Sequence, residues 1–225
     1  MDTPDTIAAE YSRRGTVIDI GSAVSRGWAL VMANLPIFAG ATVLTWAIGI
    51  GLGFIPIIGW VAGVLMGSVI HAGLLYMFIR RIRGEEIQLG DLFAGFNIAP
   101  QNLIIAGLLI SALTALGCLL CILPGIYLAV GYVFALPLAI DKKMDFWPAM
   151  EVSRQVVHEQ WWSMFLLALV LVLIVCAGAL VCVVGLVIAI PVASAALMYV
   201  YEDMFGPRAA VVQPMTAPES GGVTA

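Results

Sequence analysis

Charge is missing from most of this chain. It carries ten Lys and Arg and 14 Asp and Glu residues, yet residues 27–79, 92–140 and 160–201 contain none of them. Several other signatures are absent too. No basic stripe offers a footprint for nucleic acid, so none is expected as a partner. No acid pair, nucleophile–base arrangement, zinc motif or dinucleotide fingerprint occurs, so no catalytic, metal-binding or cofactor-binding residue is nominated. The charged segments are too short to house an active site unaided. The first fifteen residues are acidic and polar, and the first apolar run is too long for the h-region of a cleavable leader.

What remains is apolar. Hydrophobic residues make up 62 % of the sequence and mean hydropathy is +1.06, which excludes an ordinary soluble domain. Each uncharged stretch exceeds the roughly 20 residues needed to cross a bilayer once. The shortest, 42 residues, would form a helix of about 63 Å at 1.5 Å per residue. That suits two crossings of a roughly 30 Å hydrocarbon core with a tight turn between. The expected fold is therefore all-α and polytopic, with six transmembrane helices arranged as three helical hairpins.

All ten basic residues then fall on one side: Arg13, Arg14, Arg26, Arg80, Arg81, Arg83, Lys142, Lys143, Arg154 and Arg208. The positive-inside rule makes that side cytoplasmic, with both termini on it. The opposite face is expected to hold only turns near 53–59, 120–125 and 177–185.

The chain also resembles itself. Residues 130–139 match residues 184–193 at an offset of 54, with six identities, and Asp91 to Phe96 match Asp145 to Met150 in the same register. The first hairpin joins through Asp19 to Ala23 and Ile55-Pro56. Three tandem units follow, about 19–83, 89–143 and 145–203, between a polar N-terminus (1–18) and a Pro-containing tail (206–225) expected to be disordered. Each unit opens on an aspartate suited to cap a short interfacial helix: Asp19, Asp91 and Asp145. Residues 146–162 read as an amphipathic helix in the headgroup layer. Repeats of this kind occur in transporters with a substrate site between them, but duplication can equally build a stable bundle. Mitochondrial carriers also use three two-span units, but their Pro-x-Asp/Glu-x-x-Lys/Arg signature is missing.

A few residues within the spans invite attention. His71 is the sole imidazole inside the uncharged stretches, nine residues before Arg80 and so about 13 Å along the helix from the boundary. An ionisable group at that depth is a functional candidate; the structural alternative is a neutral ring bonded to Ser68 or to a neighbouring carbonyl. Gly59, Gly63 and Gly67 place three side-chain-free positions on one stripe, where a helix can approach closely. Cys118, Cys121, Cys176 and Cys182 sit among Leu, Val and Ala and read as small packing residues. Pro137 and Pro191 are expected to kink the fourth and sixth spans.

The run Leu123-Pro124-Gly125-Ile126-Tyr127, the segment Phe146 to Arg154 and the pair Trp161-Trp162 carry a resemblance. With Asp141 and the Ala149–Ser153 spacing, they resemble a group of poorly characterised bacterial inner-membrane proteins. That group is related to the membrane domain attached to some glycerophosphodiester phosphodiesterases. The resemblance spans about residues 20–205 and implies a six-helix, all-α membrane fold. It does not bring the phosphodiesterase activity, whose catalytic barrel is absent from this chain. The leading expectation is a non-enzymatic inner-membrane protein that binds lipid or a membrane-protein partner, with self-association open. The rival is a small transporter or channel with its site near His71, and a lipid-directed enzyme comes third.

Overall fold

The computed structural model describes residues 4–13, 17–55, 58–120 and 122–207. Every regular element among them is helical: α1 (Pro4–Ser12), α2 (Ile20–Ala33), α3 (Leu35–Gly53), α4 (Ile58–Ile82), a 3-10 turn (Leu89–Phe93), α5 (Ala94–Ile98), α6 (Pro100–Leu120), α7 (Ile122–Gly131), α8 (Ala135–Asp141), α9 (Phe146–Glu159), α10 (Trp161–Leu180) and α11 (Cys182–Phe205). Six segments are long and apolar enough to cross a membrane: Leu35–Gly53, Leu65–Ile82, Pro100–Leu120, Ile122–Asp141, Trp161–Leu180 and Val184–Phe205. The chain is thus an all-α, multi-pass membrane protein. Most of the expected tail lies outside the described residues.

The physical reason is plain in the sequence. Hydrocarbon offers a backbone amide no partner, so a spanning segment must satisfy its own hydrogen bonds by helix formation. Prolines fall where they cost little, with Pro36 in the first turn of α3 and Pro100 opening α6.

One geometry recurs at all three hairpin turns. A Cβ added to Gly59 would overlap the carbonyl oxygen of Leu52, one on Gly125 would overlap Cys118, and one on Gly185 would overlap the carbonyl oxygen of Gly178. In each case the glycine meets the residue seven positions earlier, so the returning helix touches the backbone of the outgoing one. Pro124 and Gly125, expected in the turn itself, lie in the first turn of α7 instead. α6 ends at Leu120 and α7 begins at Ile122, so Pro124 and Gly125 both belong to the returning helix. The second and third turn glycines stand sixty residues apart, so the turns do not follow the 54-residue register of the sequence match.

The two proline-bearing spans behave differently. α11 runs unbroken through Pro191, whereas the fourth span stops at Gly131 and restarts at Ala135, upstream of Pro137. A proline ring clashes with the carbonyl four residues earlier, here Val133, which lies inside the interruption. The freed groups are recovered by Ser153 of α9, which is fully buried. Its hydroxyl donates to the Gly131 carbonyl (2.8 Å) and accepts from the Phe134 amide (3.2 Å). The amphipathic helix α9 therefore buries its Ala149, Val152, Ser153 and Val156 face against the bundle. α1 packs on α9 in turn, with Asp5 accepting from Gln155 Nε2 at 2.6 Å.

Phe134, beside that interruption, packs against Tyr201 and Phe205 of α11 (centroids 5.8 and 5.5 Å). Tyr11 closes the same cluster against Phe205 at 5.0 Å. Phe38 of α3 stacks on Phe78 of α4 at 4.3 Å.

Two expectations follow. Ser153→Ala leaves a buried amide and carbonyl without partners and should cost about 2 kcal/mol, seen as a thermal midpoint several degrees lower in detergent. Gly125→Val should destabilise more than Gly63→Ala, because a Cβ at Gly63 meets nothing within 4 Å; equal midpoints for the two variants would refute the close-packed turn.

Candidate functional site

α4 and α6 cross near their middles, and the crossing creates a groove. On α4, Gly67, Ser68 and His71 lie within one turn of each other, where spacings of three and four bring side chains to one face. On α6, Gly107 and Ser111 do the same. The helices touch where Gly107 faces Ser68, since a Cβ on Gly107 would overlap the Ser68 side chain. Around that contact lies a cavity of about 380 Å³ lined by Gly63, Gly67, Ser68, His71, Gly107, Ile110, Ser111 and Leu136. Gly67, His71 and Ser111 are exposed along it, so it opens on the flank of the bundle.

The expected polar pair is brought together but not bonded to each other. The Ser68 hydroxyl donates to the Leu65 carbonyl within α4 (3.3 Å), which leaves His71 with no hydrogen bond to any described residue. The glycine stripe divides in two. Gly59 packs against α3 as expected, but a Cβ at Gly63 or Gly67 would meet no atom of the described residues within 4 Å, and both glycines form the floor of the groove. The reason is that α6 meets α4 at Ser68, to one side of the stripe. Gly107, Ser111 and Leu136 were not singled out by sequence. The small-residue spacing Gly107-x-x-x-Ser111 carried a signal; Leu136, brought in by tertiary packing, carried none.

The three capping aspartates have three different roles. Asp19 caps α2 as expected, accepting from the Ser22 amide at 3.0 Å. Asp91 is not an N-cap. It sits at the third position of the 3-10 turn, where it accepts from the Gln88 amide (2.8 Å) in a capping box and pairs with Arg80 (2.9 Å). Asp145 occupies the N-cap position of α9 without a capping bond, because its carboxylate accepts from Asn102 Nδ2 at 3.1 Å instead. Cys118 and Cys176 are free thiols; Cys121 and the Cys182 side chain lie outside the described residues. Among the described residues no group of three or more His, Cys, Asp and Glu side chains converges as a metal site.

A second polar constellation lies at the charged end. Arg83, just beyond α4, donates to both oxygens of Asp141 at the end of α8 (2.6 and 2.9 Å). It also reaches both oxygens of Glu202 near the end of α11 (3.0 Å each). Tyr201 donates to Asp141 at 2.9 Å, and Lys142 approaches it at 3.6 Å. One guanidinium thus ties together the ends of the second, fourth and sixth spans. Burial by itself would push the Arg83 pKa down, but the hydrogen bonds and charges of Asp141 and Glu202 outweigh it and hold the pKa above the ordinary arginine value. A partial cue lay in the charge pattern, since Asp141 and Glu202 are each the first charge after an uncharged stretch.

This multi-pass protein is similar to mycobacterial proteins without assigned roles. No family model matches the chain. Over 157 residues it is 30 % identical to an uncharacterized protein of Mycobacterium bovis, covering 68 % of this chain and 47 % of the relative. The same identity and coverage hold for an uncharacterized protein of Mycobacterium tuberculosis strain CDC 1551, and the H37Rv counterpart is 29 % identical. The chain spans about half the length of the curated relatives it matches. No solved structure matches.

The Asp141 side chain is only 4 % exposed, so Arg83→Met strands a buried carboxylate and should cost about 3 kcal/mol. Arg26→Met, at a pair whose side chains are each 40 % exposed, should cost about 1 kcal/mol or less. Combining Arg83→Met with Asp141→Leu and Glu202→Leu should regain most of the first loss in detergent unfolding. A triple variant less stable than Arg83→Met would refute the ion-pair account.

Proposed function

We propose that this chain is a non-enzymatic protein of the bacterial cytoplasmic (inner) membrane that holds a membrane lipid in the groove between α4 and α6. The observation that carries the reading is that groove: a lateral cavity at the level of the spans, floored by glycines and open toward the space that lipid occupies. Lipid chains seat well where backbone is bare, because dispersion contacts accumulate over a close-fitting wall. Cavities of this size fall within the range of small-molecule sites, which run from about 300 to 1,000 Å³.

The orientation belongs to the same proposal. Both termini face the cytoplasm, since the basic residues gather at one end. So does descent from three tandem hairpins, supported by the common turn geometry, and kinship with the membrane domain of glycerophosphodiester phosphodiesterases. A second reading draws on one feature. The cavity reaches His71, and an ionisable group inside a membrane is a frequent element of transport paths, so a small transporter with its site at His71 is the alternative.

Native mass spectrometry from lipid nanodiscs separates the two. One lipid class bound at stoichiometric amounts is the expected result. A bound water-soluble solute would replace the lipid reading with transport. A bare oligomer, or a co-purifying membrane protein, would overturn it in favour of a scaffold.

A further inference from the structure

The groove also constrains the chemistry of what it holds, granted that it holds a lipid. His71 stands eleven residues before the end of α4, and Ser111 eleven residues after the start of α6. Both are therefore about 16 Å along their helices from those helix ends, near the middle of a roughly 30 Å hydrocarbon core. A polar side chain at that level finds no water.

Two groups there have unmet demands. Neither the His71 imidazole nor the Ser111 hydroxyl hydrogen-bonds to a described residue, yet both line the cavity. Surrounded by acyl chains alone, each would forfeit the hydrogen bonds it makes in water, at a cost of kilocalories. Among the described residues no Asp, Glu, Lys or Arg lines the cavity. An anionic or zwitterionic headgroup brought to this depth would lose its hydration without gaining a counter-charge, so phospholipid headgroups are excluded from the polar part of the site.

We infer that the groove between α4 and α6 binds an amphiphile with an uncharged, hydrogen-bonding head on a long hydrocarbon tail. Its head lies against His71 and Ser111, and its tail runs along the bare floor at Gly63 and Gly67. Neutral imidazole has one donor and one acceptor nitrogen and serine can do both, which suits a carbonyl or hydroxyl head. A quinone and a diacylglycerol share that chemistry, and both are carried as arms of the test.

The geometry supplies a clean variant. A Cβ at Gly67 meets nothing within 4 Å, so Gly67→Leu should fill the groove while leaving the packing intact, and it exchanges glycine for a better helix former. His71→Phe keeps the ring and removes its hydrogen bonds. Both variants and the wild type would be placed in phosphatidylcholine nanodiscs and titrated with dioctanoylglycerol or a short-tailed benzoquinone, with binding read by native mass spectrometry and folding by thermal midpoint.

The wild type should take up one molecule of at least one probe. Gly67→Leu should weaken that binding at least tenfold and His71→Phe severalfold, with midpoints close to wild type. Preference for one probe identifies the head. Phospholipid retained by the wild type and lost in Gly67→Leu, with neither probe bound, would overturn the uncharged head while leaving the lipid site standing. Probe binding unaffected by Gly67→Leu would overturn the assignment to this groove. An oligomer that Gly67→Leu dissociates would show a second copy's helix in the groove and overturn both.

Discussion

Inside a bilayer a backbone amide has nothing to bond to except the protein, and the rest of this structure depends on that constraint. It explains why the described elements are all helical. It also explains why the interruption within the fourth span, between α7 and α8, is covered by protein. The helix is interrupted just ahead of Pro137, and Ser153 from a different helix takes up the amide and carbonyl that the interruption frees. α9 is held against the bundle by that two-sided bond, and α1 packs on α9. A single hydroxyl therefore links a local backbone defect to the placement of two helices outside the spans.

Charge obeys a complementary constraint. Ionic groups are kept out of the middle of the spans and collect in their last turns and beyond, as at Arg83, Asp141 and Glu202, where partial burial makes pairing matter. Arg83 holds Asp141 and Glu202 with four hydrogen bonds, and Tyr201 takes a further lone pair of Asp141. This satisfied network joins three spans that the hairpin turns leave unconnected. The turns close each hairpin by glycine contacts at one end, and the ion cluster fastens the returning helices at the other.

The groove beside His71 departs from this economy. Some glycines let helices touch, as at Gly27 against Ala196 and Gly73 against Leu92, while others, such as Gly49 and Gly51, leave open space. At Gly63 and Gly67 the same residue type leaves open space. What distinguishes Gly63 and Gly67 is that their open wall adjoins the unpartnered side chains of His71 and Ser111 in one cavity, and such local conflict is where binding sites are sought.

By itself the sequence determined the number of spans, their approximate ends and the end at which charge gathers. Those follow from hydrocarbon thickness and the cost of charge, both of which act residue by residue along the chain. It also determined that Asp19 would cap a helix, because capping is a contact over three residues. Only the tertiary structure decided that Asp91 turns back to a capping box and Arg80, and that Asp145 bonds Asn102. It decided that the fourth span breaks while the sixth, with the matching proline, does not. The glycine stripe shows the division within four residues, with Gly59 in a turn contact fixed by its own hairpin and Gly63 lining a cavity. The difference between them lies in where α6 crosses α4, and a crossing point is set by the packing of helices distant in sequence rather than by any local pattern.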